Sequence, residues 1–358
     1  MILQAIVAVA AAYQLVAIVA CFRRKGYSQA STSPPASVLK PVHGLDPALR
    51  AALESHSKLD GEYELLCGVR SLDDPAVALL REFPRVRVIE CRTGAANGKV
   101  GVLIDLAREA RFQILVVNDA DIRVEPDYLA RVTAPLSDPQ VGLVTCLYRP
   151  EGSTFAARFE GLGVATEFAP SALVARMVGV DEFAMGSTLA FRRADLERIG
   201  GFNAIKEYLA DDYQLGARVH ALGLKCVLSD VIVSTHLGGG WGDVWRHQVR
   251  WARTIRVSKF SGYLGLPVTF ATPWAAVAAA GGQWEFAAGL MFLRMLMAFT
   301  SGWTVVRSRD VLWLWWLIPA RDLFGAAVWL AGLFGNSVVW RGRKLWLDRE
   351  GRIRERNV

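Results

Sequence analysis

The chain has 358 residues, of which 53% are hydrophobic and twelve are tryptophan, and its formal net charge is +7. This composition excludes an ordinary soluble enzyme, because the chain is too apolar to bury all of that surface in a water-soluble domain. The positive charge does not indicate a nucleic-acid partner, since the basic excess lies next to apolar segments, where anionic lipid headgroups account for it. The five cysteines are scattered without metal-type spacing, which indicates unpaired thiols in a reducing compartment.

The N-terminal segment is apolar and long enough to cross a bilayer. Residues 2–22 carry no formal charge, and at about 1.5 Å per residue they span a hydrocarbon core of roughly 30 Å. A cleaved signal peptide carries its positive charge before the apolar stretch, whereas here the basic residues 23–25 follow it. We therefore predict a transmembrane helix with a basic flank at 1–25 and a Ser/Pro-rich linker at 26–37. The positive-inside rule then keeps the following residues in the cytoplasm.

Residues 38–260 are predicted to form one cytoplasmic domain that includes interfacial helices. β-rich runs occur at 37–42, 63–69, 86–90, 112–118 and 141–148. Helical stretches lie between them near 46–57, 75–83, 99–109 and 127–135. Continuous apolar strands that alternate with helices predict an α/β fold, with a mostly parallel sheet and helices on both faces. Ligands of such sheets bind beyond the carboxyl ends of the strands.

Acidic pairs follow two of these strands. Asp119 and Asp121 come directly after the run 112–118, and Asp73 and Asp74 follow the run 63–69. Two carboxylates at positions i and i+2 can converge on one Mg²⁺ ion, which shares the rest of its shell with substrate phosphates. The alternative is a solvated turn, or a cap on the next helix. An EF-hand is excluded, because Arg123 takes a loop position that needs an oxygen ligand.

Three later stretches also carry candidate functional residues. Residues 155–179 are apolar with isolated charges, which fits either an interfacial amphipathic helix or a core helix of the domain. Asp211 and Asp212 precede a helical run, where ordinary N-capping is the alternative to a functional role. A basic helix at 245–256 could instead bind lipid headgroups. Its candidate residues are His247, Arg250 and Trp251.

The C-terminal region, 261–340, is predicted to hold the remaining membrane segments. Residues 264–280 and 286–306 each approach the length of a span, the second with Arg294 at depth. The stretch PARD at 319–322 is expected to divide the next apolar segment, 311–335, into two pieces too short to cross.

The basic tail, 341–358, decides between topologies. Between residues 341 and 356 it holds seven Lys or Arg against three acids, so it is expected on the cytoplasmic side. Three C-terminal spans would export it, whereas a re-entrant or interfacial hairpin at 319–322 keeps it inside. The sequence thus predicts an integral membrane protein whose domain 38–260 lies in the cytoplasm, and the bacterial inner membrane is its expected location.

Six short motifs, in this order along the chain, carry a family resemblance. They are LKPVHGLDP (39–47), DDP (73–75), GKVG (98–101), DADIRV (119–124), DDY (211–213) and HQVRW (247–251). Together they resemble the membrane-bound glycosyltransferases of the family 2/21 type, which have the GT-A fold, and most closely the ceramide glucosyltransferase branch and the related hopanoid-associated enzymes. His247 is a departure, since Gln or Arg is usual at that position.

The resemblance implies a role for each motif. Asp212 would be the general base, with Asp211 beside it, and Asp119 and Asp121 would hold Mg²⁺ or Mn²⁺ on the diphosphate. The residues implied in binding the nucleotide sugar are Asp73, Asp74, Lys99, Asp119, His247, Arg250 and Trp251.

The function implied is inverting transfer of a sugar, with glucose favoured, from a UDP-sugar to the hydroxyl of a membrane lipid such as ceramide. One alternative is a hopanoid-associated N-acetylglucosaminyltransferase, which shares these motifs. A second alternative is a non-catalytic lipid-binding membrane protein with a decayed transferase domain. Intact acids at all three sites argue against decay.

Overall fold

The computed structural model describes residues 2–24, 26, 33–340 and 342–354. The chain forms two compact units. The sheet unit comprises Lys25–Tyr148 and Val180–His236, and the helical unit comprises Met1–Arg24, Arg149–Gly179 and Leu237–Val358. Two stretches of the predicted domain 38–260 therefore fall in the helical unit.

Helices and strands alternate through most of the described residues up to 237, and helices predominate from there to residue 333. The helices are α1 (Ile2–Phe22), α2 (Leu49–His56), α3 (Ala76–Arg81), α4 (Gly98–Glu109), α5 (Tyr128–Thr133), α6 (Phe155–Gly163), α7 (Ala169–Met177), α8 (Arg193–Arg198), α9 (Asp211–Ala221), α10 (Trp241–Ser258), α11 (Phe260–Gly265), α12 (Ala271–Ala280), α13 (Trp284–Phe299), α14 (Asp310–Trp313) and α15 (Ile318–Leu333). The strands are β1 (Ala36–Pro41), β2 (Tyr63–Val69), β3 (Val86–Glu90), β4 (Ile114–Val117), β5 (Val141–Gly152), β6 (Leu189–Arg192), β7 (Lys225–Leu237), β8 (Ser337–Trp340), β9 (Arg343–Leu347) and β10 (Ile353–Arg354).

The sheet unit is built on a seven-stranded sheet in the order β3-β2-β1-β4-β6-β5-β7. Strands β1 to β4 pair in parallel, and β6 runs antiparallel between β4 and β5. All five predicted strands are present, and the predicted α/β class with a mostly parallel sheet is confirmed. Strands β6 and β7 were not predicted.

Helices cover both faces of this sheet. Val38 and Val116 belong to one apolar cluster, together with residues of α2, α3 and α5. Their neighbours Leu39 and Val117 belong to the other, together with residues of α4 and α9. Because side chains alternate between the faces along a strand, each strand anchors both layers. Burying one such Val or Leu contributes about 1.5–3 kcal/mol, so this core fixes the sheet edge from which the functional loops leave.

The helical unit contains apolar helices of membrane-spanning length. Within the described residues, Gln4–Phe22, Trp284–Val305 and Trp315–Leu333 are long and apolar enough to cross a membrane. The number is four if Phe260–Thr269 and Ala271–Ala280, which meet at an angle of 53°, count as one broken span. These segments match the predicted N-terminal helix and the predicted stretches 264–280 and 286–306.

The prediction that residues 319–322 divide the last apolar segment is wrong. Pro319 lies in the first turn of α15, where the missing N–H is not needed for the helix. Asp322 accepts a hydrogen bond from Arg294 at 2.7 Å, and both side chains are completely buried. Arg294 also donates to the carbonyl of Thr166 at 3.1 Å. The charges inside the apolar helices are therefore paired, which avoids the large cost of an isolated buried charge.

The described residues of the predicted basic tail contribute to a small sheet. Strands β8, β9 and β10 form an antiparallel sheet that includes residues up to 354. Residues 341 and 355–358 of the predicted tail lie outside the described residues, as do residue 25 of the predicted basic flank and residues 27–32 of the predicted linker.

Candidate active site

The loops after the parallel strands meet at one edge of the sheet unit. Strand β1 lies between β2 and β4 and is parallel to both, so the carboxyl ends of the three strands point to the same edge. The loop after β2 carries Asp73 and Asp74, and the turn after β4 carries Asp119 and Asp121. The predicted position of these acids relative to the strands therefore agrees with the structure.

Lys99 forms the centre of a charged cluster at this edge. It lies in the first turn of α4, where the side chain of Asn97 caps the helix by accepting the N–H of Lys99 at 3.0 Å. Its Nζ is 2.8 Å from Oδ1 of Asp119 and 3.3 Å from Oδ2 of Asp211. Burial alone would lower the pKa of Lys99, but the charges of Asp119 and Asp211 outweigh burial and raise this pKa above its ordinary value. The ammonium therefore stays charged between two carboxylates.

Asp212 is held beside this cluster at the start of α9. The N–H of Gly186 donates to its Oδ2 at 2.9 Å, and the N–H of Tyr213 donates to its Oδ1 at 2.8 Å. Burial raises the pKa of Asp212 to about 6, the charge of Asp211 adds to this, and Lys99 opposes it. At neutral pH the carboxylate is mostly ionised, yet it binds a proton more tightly than an ordinary aspartate does. Those properties suit a general base.

Gly186 shows that these groups converge. A Cβ atom built on Gly186 would lie 3.4 Å from Oδ2 of Asp212, 3.4 Å from Nζ of Lys99 and 3.6 Å from Oδ2 of Asp119. One point is therefore in contact with side chains from α4, from α9 and from the turn after β4. The absence of a side chain at residue 186 leaves this point open.

Asp121 lies on the same turn as Asp119 but has other partners. Its Oδ2 accepts hydrogen bonds from Oγ1 of Thr235 at 2.5 Å and from the N–H of His236 at 2.9 Å, both on β7. Burial raises the pKa of Asp121, and the hydrogen bond from Thr235 partly offsets that effect. The two carboxylates that we expected to share a cation are thus each engaged on one side, Asp119 by Lys99 and Asp121 by β7.

The remaining oxygens of this turn fit a divalent cation chemically. Neither Oδ2 of Asp119 nor Oδ1 of Asp121 accepts a hydrogen bond from any residue that the structure describes. Mg²⁺ typically takes one or two carboxylates and completes its shell with phosphate oxygens and water. No group of three His, Cys, Asp or Glu side chains in the described residues is arranged to hold a metal. Substrate and water would therefore have to supply the other ligands.

Asp73 and Asp74 differ sharply in their surroundings. Both oxygens of Asp74 accept the N–H of Gly44, at 3.1 and 3.0 Å, and Oδ1 also accepts the N–H of Ala76 at the start of α3. Asp74 thereby ties the loop after β1 to the loop after β2. Asp73 is exposed, and among the residues that the structure describes its hydrogen-bond partner is the nearby Ser71. Of the two, Asp73 is the one whose carboxylate is open to a ligand.

The other three predicted residues lie on α10 in the helical unit. Nδ1 of His247 is 2.7 Å from Oε1 of Glu160, and its ring packs edge-on against the ring of Trp251 with centroids 4.5 Å apart. Arg250 lies on the same helix. The nucleotide-binding role of these residues remains a prediction.

The structure adds functional candidates to which the sequence analysis assigned no role. Lys40 is completely buried and donates from Nζ to the carbonyls of Asp119 at 2.9 Å and Ile122 at 3.4 Å, which fixes the acidic turn. Burial lowers the pKa of Lys40 to about 8. Lys40 lies within the motif at 39–47, so its motif was a signal for it. Thr235 lies on an unpredicted strand and had no such signal.

Comparisons with known proteins agree with the fold and with the motifs. Ceramide glucosyltransferase 1 of Caenorhabditis elegans is 29% identical over 208 residues, which cover 55% of this chain and 44% of that protein. Beta-monoglucosyldiacylglycerol synthase of Synechocystis sp. is 29% identical over 146 residues, which cover 40% of this chain and 29% of that protein. The chain thus spans less than half the length of these curated relatives.

A solved structure supports the fold alone. The mannosyltransferase PcManGT from Pyrobaculum calidifontis, in complex with GDP-Man and Mn²⁺, aligns with 92% of this chain and 99% of its own at a TM-score of 0.56 and 20% identity.

A family model described as Glycosyl transferase family 21 matches residues 2–353. That match covers nearly the whole chain and confirms the resemblance carried by the six motifs. The chain therefore belongs to glycosyl transferase family 21.

Proposed function

We propose that the chain is an inverting glycosyltransferase that moves a sugar from a UDP-sugar to the hydroxyl of a membrane lipid, with glucose as the favoured sugar. The observation that carries the proposal is the convergence of Lys99, Asp119, Asp211 and Asp212 at the carboxyl edge of the sheet in a member of this family. An acid whose pKa is raised by burial, as that of Asp212 is, and that stands at such an edge is characteristic of a catalytic site.

The names of the relatives support a glucosyl donor and a lipid acceptor. One is a ceramide glucosyltransferase and the other a monoglucosyldiacylglycerol synthase, so the sugar is the same in both names while the lipid differs. The three helices that are long and apolar enough to cross a membrane support a substrate that resides in the bilayer. The acceptor is therefore a hydroxyl lipid such as ceramide, with a diacylglycerol or a hopanoid as the other outcomes of the assay.

The chemistry assigns one proton transfer to this chain. Asp212 accepts the proton of the lipid hydroxyl while the hydroxyl oxygen attacks the anomeric carbon and the bond to UDP breaks. Lys99 pairs with Asp119 and Asp211 and so holds these two carboxylates in place beside Asp212. Its ammonium stays positively charged next to the reacting groups. Asp119 and Asp121 are the residues that would hold Mg²⁺ or Mn²⁺, which supplies positive charge for the departing diphosphate when bound.

We assign nucleotide binding to Asp73, Arg250 and Trp251 on the strength of the family motifs. Asp73 is suited to the ribose or the uracil because its carboxylate is exposed. Asp74 holds the same loop in place through its hydrogen bonds to Gly44. An arginine suits a diphosphate because its guanidinium donates several charge-assisted hydrogen bonds.

We also propose that the sheet unit faces the cytoplasm at a bacterial inner membrane. Arg23 and Arg24 directly follow α1 and favour the cytoplasmic side. Single cysteines introduced at exposed Leu72 and exposed Glu54 should resist a membrane-impermeant maleimide in intact cells and react after lysis. Labelling in intact cells would refute this orientation.

The function is tested by label transfer in membranes that contain the chain. Wild-type membranes should move radiolabel from UDP-glucose into endogenous lipid, and mass spectrometry of the product identifies the acceptor. UDP-N-acetylglucosamine is the parallel donor, and preference for it would support the hopanoid-type alternative. Asp212→Asn should abolish transfer while UDP binding remains.

Asp195→Asn is the matched control for this assay. Asp195 is a buried carboxylate of the same unit that pairs with Arg192 and Arg198, so it tests a general loss of a buried acid. The folded fraction of Asp195→Asn should transfer label at the wild-type rate. No transfer by the wild-type chain with either donor, or normal turnover by Asp212→Asn, would overturn the proposal.

A further inference from the structure

A buried carboxylate in the helical unit contacts the one motif residue that departs from the family pattern. Glu160 on α6 is only 2% exposed. Nδ1 of His247 and Nε2 of Gln248 both lie 2.7 Å from its Oε1. His247 stands where Gln or Arg is usual in the motif. Glu160 therefore contacts the position at which the chain departs from the family motif.

The contact fixes which nitrogen of His247 carries the proton. An ionised carboxylate has no hydrogen to donate, so it can only accept from Nδ1. A neutral His247 is therefore protonated at Nδ1, and its Nε2 is the atom left for another partner. No residue in the described part of the chain hydrogen-bonds to Nε2 of His247.

A chain of buried polar side chains continues behind Glu160. Gln248, which donates to Glu160, accepts in turn from the guanidinium of Arg321 at 2.9 Å. Arg321 is itself buried and lies over the rings of Phe159, at 5.7 Å, and Phe324, at 5.0 Å. The charge of Arg321 is paired with Glu167 at 3.4 Å, so Glu160 is held by the hydrogen bonds from Gln248 and His247.

We propose that Glu160 is a positioning residue that makes His247 equivalent to the Gln or Arg of the related enzymes. Held by Glu160 at Nδ1, the imidazole of His247 presents Nε2 to an anionic oxygen of the nucleotide-sugar diphosphate, and the ring that carries both protons donates to that oxygen. The carboxylate orients the ring through Nδ1, as the acid of a catalytic triad does for its histidine. This inference rests on the proposed function, because it assigns His247 a diphosphate as its ligand.

A double-mutant cycle separates positioning from structural support. In the wild-type background, Glu160→Gln should lower label transfer from UDP-glucose about tenfold, since the orientation of the imidazole is lost. In a His247→Gln background the same substitution should change transfer by less than about twofold, because a glutamine amide needs no carboxylate to act as a donor. An equal loss in both backgrounds would overturn the proposal.

The control variant is Asp310→Asn. Asp310 pairs with Arg158, which lies on α6 two residues before Glu160, at 2.8 Å. Removing it loosens the same helix without touching His247, so any effect on transfer should be the same in the wild-type and His247→Gln backgrounds. Coupling of Asp310→Asn to His247 as strong as that of Glu160→Gln would also overturn the proposal.

A second measurement does not depend on catalysis and so stands even if the proposed function fails. In purified protein with ¹⁵N-labelled histidine, the signals missing from His247→Gln identify His247. At a pH where this ring is neutral, the wild-type signals should report the Nδ1-protonated tautomer, and Glu160→Gln should lose that preference. A wild-type ring protonated at Nε2 alone would refute the positioning role directly.

Discussion

Replacing Asp212 by Asn should stabilise the protein while it destroys transfer. The pKa of Asp212 rises from 3.8 to about 6 in the folded chain, a difference of about 2 units at about 1.4 kcal/mol each. Ionised Asp212 therefore costs the native state about 3 kcal/mol. The amide of Asn has one acceptor oxygen, so it loses one of the hydrogen bonds from Gly186 and Tyr213, at about 1 kcal/mol. The net gain is about 2 kcal/mol.

The pH dependence of this gain has a definite sign. Because the folded pKa of Asp212 is raised, the cost of ionisation is absent below about pH 4, where both folded and unfolded chains are protonated. The cost grows between pH 4 and pH 6 and is complete above pH 6. Asp212→Asn should therefore unfold at a higher temperature than wild type at pH 8, and the difference should shrink towards pH 5.

Thermal unfolding of the detergent-purified protein at pH 5 and pH 8, alongside label transfer, tests this reasoning. Loss of a general base should lower turnover by about 10²–10⁴-fold. Asp195→Asn should instead lower the unfolding temperature, since it leaves the guanidinium groups of Arg192 and Arg198 without their carboxylate. If Asp212→Asn is less stable than wild type at pH 8, or its effect is the same at both pH values, the carboxylate is not held at an energetic cost.

The remaining predictions concern the open space, the buried charges and the metal. Gly186→Ala should fold, because its methyl would meet Asp212 and Lys99 at an ordinary 3.4 Å, and circular dichroism checks this. Label transfer should nevertheless fall at least about tenfold, because the methyl occupies the convergence point. Arg294→Leu should lose about 3–5 kcal/mol by leaving Asp322 unpaired, and Arg294→Leu/Asp322→Leu should recover much of it, as measured by thermal unfolding. Transfer should stop on exhaustive chelation and return with Mg²⁺ or Mn²⁺.

The sheet was predictable where its strands are buried on both faces. β1 and β2 read as continuous apolar runs, and their burial is nearly complete along their length, so local sequence and tertiary environment agree. β7 has buried and partly exposed residues interspersed, and β6 has only four residues. Neither gives the continuous signal of a central parallel strand, and their pairing is decided by distant partners rather than by local pattern.

The candidate site divides in the same way. The position of Asp119 after β4 follows from topology and was predictable. Its partner Lys99 lies on a separate helix. Asp121 is hydrogen-bonded to Thr235, which lies on a strand more than a hundred residues further along the chain. Pro319 shows the converse, because a residue that breaks helices elsewhere is placed here in the first turn of α15, where it is tolerated. Local rules give the type of residue at a site, and long-range packing gives its partner.

The charge at the sheet edge explains why a cation should govern nucleotide binding as well as turnover. Three carboxylates, on Asp119, Asp211 and Asp212, stand near the ammonium of Lys99, which already pairs with two of them. A fourth, on Asp121, lies near the buried ammonium of Lys40, so the carboxylates still outnumber the positive groups. A diphosphate adds negative charge, and like charges 4 Å apart repel by about 4 kcal/mol at an effective dielectric constant of 20. Protonation of Asp212 would relieve the repulsion but remove the base. A divalent cation relieves it and leaves Asp212 ionised, so calorimetric binding of UDP to the purified protein should weaken sharply on chelation. Unchanged UDP affinity without a divalent cation would contradict this charge balance.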